Sequence, residues 1–215
     1  MFNTGLTLWL DDARHITREY FAMNLALSMA AFALAASISP GPVNVVALAS
    51  GVRHGLPASL GHAAGATLGF CALLLLVGNG LHQLLAHWAP LQGVLQAGGV
   101  LFLLYMALRL ASDDGALGAT HTCAPPSAWC GATMQWLNPK AWLAAVAGVG
   151  AYTAGEQQAL WVFTGIYAPI CFVSVACWAW AGSVAGRHLH SPRPLRLLNR
   201  TLAALLVASA VGLII

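Results

Sequence analysis

Polar and apolar positions along this chain of 215 residues separate into long blocks, with neither strict alternation nor a single helical stripe. Residues 1–22 mix Asp11, Asp12, Arg14, His15, Arg18 and Glu19 with a few apolar positions, and at Met23 the character changes abruptly. Six apolar stretches follow, at about Met23 to Ser50, Leu60 to Leu81, Leu91 to Leu110, Cys130 to Tyr152, Leu160 to Val184 and Leu198 to Ile215. A hydrocarbon layer about 30 Å thick takes roughly 20 apolar residues of helix to cross. Barrel strands would be only about 9–11 residues long and would alternate. The pattern therefore predicts an all-α membrane protein with six transmembrane helices.

Composition agrees. The chain is 59% hydrophobic and only 7% charged, against about 25% in a soluble domain. Six spans and their loops use up the length, so a single six-span domain over 23–215 is expected, with 1–22 as a polar extension and Met23 an alternative start. No secretory signal pattern opens the chain. The formal net charge is +3, without the basic patch interleaved with aromatics that would point to nucleic acid. Five cysteines form no CxxC pair and sit at no zinc-like spacing with histidine. No metal and no cofactor is implied.

Placement of the arginines sets the orientation. Arg53, Arg109, Arg187, Arg193, Arg196 and Arg200 fall in the three loops that share one side, while the other side holds Arg14 and Arg18. Both termini are therefore expected outside the cytoplasm, which for a bacterial inner membrane is the periplasm.

Two stretches are interrupted. Pro40-Gly41-Pro42, followed by Asn44, breaks the first, and Asn138-Pro139-Lys140, preceded by Gln135, breaks the fourth. A proline inside a helix removes a donor and clashes with the preceding turn, at about 3 kcal/mol or more. In lipid such breaks persist only where they face protein or a wet cavity. They open corresponding halves of three spans each, 23–112 and 128–215. An odd number of spans per half makes the halves run in opposite directions, as in an inverted repeat with its site between the breaks. Helix N-terminal ends would attract a substrate carboxylate, and unwound carbonyls its ammonium. The blander reading, prolines that only kink packed helices, fits one break better than two matched ones.

Lys140 is the only lysine and the only charge well inside a span. Charge there costs at least about 2.5–3.5 kcal/mol, so it is read as meeting the substrate carboxylate or capping freed carbonyls, with snorkelling as the alternative. No Asp or Glu lies within a span, which disfavours cationic substrates. If export is proton-driven, His62 is the candidate for coupling, balanced by an ordinary packing role. Gly61, Gly65 and Gly69 recur every four residues, a spacing for close helix packing. Trp129, Trp136, Trp142 and Trp161 are expected as interface anchors or packing residues.

The run Ala35 to Asn44 with its Ser39-Pro40-Gly41-Pro42, then Ala49 to Gly55, the three glycines of span two, Gly98-Gly99 through Leu104-Tyr105, Gln135 to Trp142 and Leu198-Asn199-Arg200 through Gly212 together resemble the LysE/RhtB family of amino-acid exporters. The likeness covers about residues 24–215. It implies a six-span carrier that exports amino acids and related metabolites in exchange with protons. Binding roles would fall on Pro40, Gly41, Pro42 and Asn44, and on Asn138, Pro139 and Lys140, with Gln135 beside them. The chain departs from many members at Val43, where Asn is common, and at Phe70, where an acidic residue is common.

The function expected is secondary export of small neutral amino acids or derivatives, of the homoserine, threonine or cysteine kind. Alternatives are export of another small metabolite or of a metal ion, and a membrane-embedded enzyme. Metal export lacks the in-span carboxylates that hard cations want. An enzyme would need a nucleophile with a base, paired carboxylates or metal ligands, and no HExxH or GxSxG occurs. Partners are the amino acid and the lipid bilayer, and a homodimer is allowed.

Overall fold

The structure, a computed structural model, describes residues 3–81, 89–112, 124–188 and 192–211. The midpoint loop from Asp113 and the last apolar residues beyond Val211 lie outside them, as do their expected roles. Seven α-helices are described: α1 Asn3–Ile38, α2 Pro42–Leu76, α3 Ala89–Ala111, α4 Ala128–Trp136, α5 Pro139–Tyr152, α6 Gln157–His188 and α7 Pro192–Val211. A short π-helical turn, Val77–Leu81, ends α2. Among the described residues Glu19–Ile38, Pro42–Gly80 and Gln157–Arg187 are long and apolar enough to cross a membrane. Backbone helix reaches back through the polar extension to Asn3.

Local chemistry places the ends. Pro42 and Pro139 each occupy the first turn of a helix, where the missing N–H would be unsatisfied anyway. Ser127 caps α4 by accepting from the Cys130 N–H at 3.2 Å. Asn138 caps α5 through Oδ1, which accepts from the Lys140 N–H at 3.1 Å. α5 closes on Thr153, whose hydroxyl donates to the Val149 carbonyl at 2.8 Å, and Ala154 and Gly155 turn the chain with positive φ of 47° and 83°.

α2 is two arms. Gly55 has φ 77° and ψ 172°, a conformation open essentially to glycine alone, and Pro57 follows. In a straight helix, residues nine apart would be separated by about 13.5 Å. Instead the Ser50 and Ser59 hydroxyls are hydrogen-bonded at 2.7 Å, so the chain folds back at Gly55.

The arms pack through glycines. A Cβ on Gly65 would overlap the Ala128 carbonyl, and one on Gly131 the His62 carbonyl. Gly69 abuts Ala132 in the same seam between the second arm and α4. Along the first arm, Gly51 and Gly182 bring α2 and α6 into similar backbone contact. Gly61 departs from the expected packing role: it is exposed on the outer side of the second arm, and nothing lies within 4 Å of where its Cβ would stand. Large apolar side chains such as Leu68, Leu101, Leu143 and Leu197 also point outward, as expected of a surface solvated by lipid.

Candidate functional site

Both interruptions come to one place. Between α1 and α2 the prolines at 40 and 42 deprive the Ala36 and Ile38 carbonyls of their helical donors, and side chains take over. The Ser39 hydroxyl donates to the Ala36 carbonyl at 3.2 Å. Asn44 Nδ2 donates to the carbonyls of Ser37 at 2.8 Å and Ser39 at 2.9 Å. Trp178 Nε1, from α6, donates to the Ile38 carbonyl at 2.9 Å. Lys140 Nζ reaches across from the other interruption to the Ser39 carbonyl and hydroxyl, both at 2.7 Å, and to the Pro40 carbonyl at a longer 3.5 Å. Carbonyls expected to stand open to substrate are thus met by side chains, which is what a low-dielectric surrounding demands of freed backbone groups.

The second break follows the same rule. The Trp136 carbonyl has lost the Lys140 N–H to the Asn138 cap and accepts from Trp142 Nε1 at 2.8 Å. Trp136 and Trp142 therefore act at the break, edge-on at 6.3 Å, while Trp129 and Trp161 are exposed.

A cavity of about 40 Å³ lies between the breaks, lined on the polar side by Ser37, Gly41, Asn44, Gln135, Asn138 and Lys140. Phe70, Tyr167, Cys171 and Val175 form its apolar wall. It has room for a few water molecules. The α2 N-terminus opens on it with Gly41 as N-cap, φ −167°, giving no side-chain cap to the first N–H groups. Together with the nearby α5 N-terminus and the Lys140 ammonium, these groups make a setting for an anion. Among the described residues no acidic side chain lines it.

His62 lies outside this lining. It is fully buried, with Nε2 3.2 Å from the Val43 carbonyl and Nδ1 without a hydrogen-bond partner. Val43 itself lines the cavity, so His62 sits one residue behind the wall.

Aromatic rings seal one side. Phe70 stacks on Tyr167 at 4.3 Å, Tyr167 meets Phe163 at 5.7 Å, and Phe163 meets Tyr152 at 5.2 Å and Phe32 at 6.1 Å. The Tyr152 and Ser28 hydroxyls are 3.0 Å apart at the far end of this train.

Residues 34–215 match the family described as LysE type translocator. This chain belongs to that family. It is a multi-pass membrane translocator and not an enzyme. A protein named "Cysteine/O-acetylserine efflux protein" in Klebsiella pneumoniae is 30% identical over 190 residues, 86% of this chain and 94% of the relative. The protein of the same name in Escherichia coli K12 is 28% identical over 187 residues, covering 84% and 92%. No solved structure matches.

Within this LysE type translocator, reading of the sequence missed Trp178, Ser39, Tyr167 and Cys171. Nothing in the apolar run around Trp178 marks it as a donor to a break on another helix. Ser39 stood in the quoted motif, adjacent to the prolines, and its hydroxyl could have been counted among the local caps.

Proposed function

We propose that this translocator exports small neutral amino acids or their derivatives, with the cavity between the two breaks as the central substrate site. The single observation that carries the reading is the convergence of Lys140 and the α2 N-terminus on one buried cavity. That arrangement suits a carboxylate, while Gln135, Ser37 and the Tyr167 hydroxyl offer acceptors for an ammonium. Small walls, Ala141, Ala144 and Cys171, suit a short side chain. Cysteine and O-acetylserine, named for the relatives, are the first solutes to try.

In this reading the chain makes six passes, with the α1–α2 and α4–α5 interruptions as equivalent features of two inverted halves. The fold-back at Gly55 supports it by dividing α2 between the first pass and the second. The face carrying Arg53 and Arg109 is cytoplasmic in a bacterial inner membrane, which leaves both termini periplasmic. At about 40 Å³ the cavity must widen to take an amino acid, so transport includes a state more open than this one. Export is coupled to protons, with His62 as the coupling group: its free Nδ1 lies behind a cavity wall to which its Nε2 is bonded.

The test is efflux from cells loaded with single amino acids. Lys140→Ala and Asn138→Ala should insert normally and lose export. Normal export by both would remove the site assignment. A purified protein that moves no amino acid in proteoliposomes, with or without a pH gradient, would remove the function. Substitution His62→Asn should abolish gradient-driven export and spare exchange of one amino acid for another; equal loss of both would reduce His62 to a packing residue.

A further inference from the structure

A cavity of about 510 Å³ runs along the outer surface between α3 and α7. Its floor is Ala107 and Ala203, both buried, and its rims carry the exposed Leu104, Leu108, Ala204 and Val207. Alanine at the floor leaves a furrow where larger side chains would have closed the gap between the helices. α3 and α7 run in opposite directions, since Arg109 and Leu110 at the end of α3 share a cavity wall with Asn199 near the start of α7. The exposed Arg200 and Ala111 therefore mark the end of the furrow on the arginine side, and Leu104 and Val207 the end toward the apolar middle.

One face of α7 joins the furrow to a run of charge. Arg193, Arg196, Arg200, Ala204 and Val207 recur every three or four residues, so they share a face. The three arginines span about 10 Å of it at 1.5 Å per residue. All three are exposed, and α7 has no acidic residue in its first turn. The positive end of the helix dipole lies there too, which makes it an unfavourable place for cations. The described acids do not relieve it: Glu19 is in α1, and Glu156 precedes the 32-residue α6 at the end away from α7. Asp113 and Asp114 lie outside the described residues, and the six arginines of this side outnumber them.

We propose that the furrow holds an acyl chain of an anionic phospholipid whose phosphate meets Arg193, Arg196 and Arg200. An apolar trough continuous with a positive stripe matches a molecule that joins an apolar chain to a negative head. Charge also argues against a second copy of this chain as the occupant. Pairing across a twofold axis would set the arginine stripe beside its own symmetry mate, adding repulsion that a lipid phosphate removes. The inference is independent of what is transported. It ties the seating of α7 on α3 to the charge of the surrounding leaflet.

The test needs no transport. Purified protein in a neutral detergent is titrated with phosphatidylglycerol or phosphatidylcholine of the same chains, and bound lipid is counted by native mass spectrometry. Phosphatidylglycerol should bind more tightly, by about fivefold for each arginine engaged, and should raise the melting temperature where phosphatidylcholine does not. Arg196→Gln and Arg200→Gln should each remove about fivefold of that preference, and the lysine variants should keep it, since charge is kept. Ala204→Trp obstructs the furrow and should weaken binding of the dioleoyl lipid while leaving the short-chain dihexanoyl form unchanged.

Equal binding of the two lipids by the parent would overturn the proposal. So would a preference that survives Arg193→Gln, Arg196→Gln and Arg200→Gln together. Displacement of phosphatidylglycerol by sn-glycerol 1-phosphate at equal concentration would leave an anion site without lipid, and would also overturn it. A dimer that Ala204→Trp disrupts, with lipid binding unchanged, would give the furrow to a second copy instead. Should the triple variant fail to fold, salt decides on the parent protein. The preference should fade between about 0.05 M and about 0.5 M salt, and a preference indifferent to salt would sink the assignment.

Discussion

Lys140 Nζ stands 2.7 Å from both the carbonyl and the hydroxyl oxygen of Ser39, a residue 101 positions away in the chain. One flexible side chain from the second break completes the hydrogen bonding of the first. The bond ties the two breaks together at the wall of the central cavity, so an anion that draws the ammonium away must loosen the end of α1. If the substrate carboxylate binds here as proposed, its binding and helix adjustment are linked through a single nitrogen.

The first prediction concerns that nitrogen. Lys140→Met keeps the stem and removes the donors, leaving the Ser39 carbonyl with Asn44 alone and the Pro40 carbonyl without its lysine contact, at a cost of about 1–3 kcal/mol. Efflux should fall at least tenfold, with the protein still present in the membrane at a lowered melting temperature in detergent. Undiminished efflux would place the carboxylate elsewhere.

Glycine spacing gives a second, internally controlled prediction. Gly65→Ala drives a methyl into the Ala128 backbone, and Gly131→Ala into that of His62. Neither neighbour can move without separating α2 from α4, so both variants should lose a large part of their folded yield by size-exclusion chromatography. Gly61→Ala meets nothing within 4 Å and should be as stable as the parent. If all three behave alike, the seam is not where the structure puts it.

What could be read from the chain, and what could not, follows from the range of each interaction. Pro40, Pro42 and Pro139 announce their breaks because proline acts on its own backbone. Lys140 stands out because charge is rare in lipid. The donors that meet the freed carbonyls are another matter: Trp178 lies 140 positions from Ile38, and only tertiary packing brings it there. Gly61 belongs to the same spacing as Gly65 and Gly69, yet periodicity alone does not say where two crossing helices diverge. The fold-back at Gly55 was legible in outline from the gap between apolar stretches, and its cause, a positive φ before Pro57, was not.

Trp178 supplies a third prediction. Trp178→Phe retains most of the apolar volume and removes the donor to the Ile38 carbonyl, at about 1–2 kcal/mol in a membrane setting. The melting temperature should drop modestly while amino-acid binding, measured by scintillation proximity, changes less than for Lys140→Met. A larger effect on binding than on stability would assign Trp178 to the substrate itself.

Tyr152 and Ser28 supply the fourth. Their hydroxyls are 3.0 Å apart on the sealed side, and Tyr152 also donates to the Ser28 carbonyl at 3.2 Å. Tyr152→Phe preserves the ring contacts and removes this latch, at about 0.6 kcal/mol. Solvent access to the central cavity from that side, followed by labelling of a cysteine introduced at Ala144, should rise by a few fold. No change would mean that ring packing alone keeps the side shut.

The train of rings from Phe70 to Phe32 draws one or two members from each of α1, α2, α5 and α6. No one of these helices can tilt outward alone, since each is wedged by a ring belonging to another. If substrate leaves past these rings, its release is a joint displacement of several helices, in contrast to the lifting of a surface loop. Such a step has a steep temperature dependence, and thinning or thickening the bilayer should alter its rate more than it alters affinity.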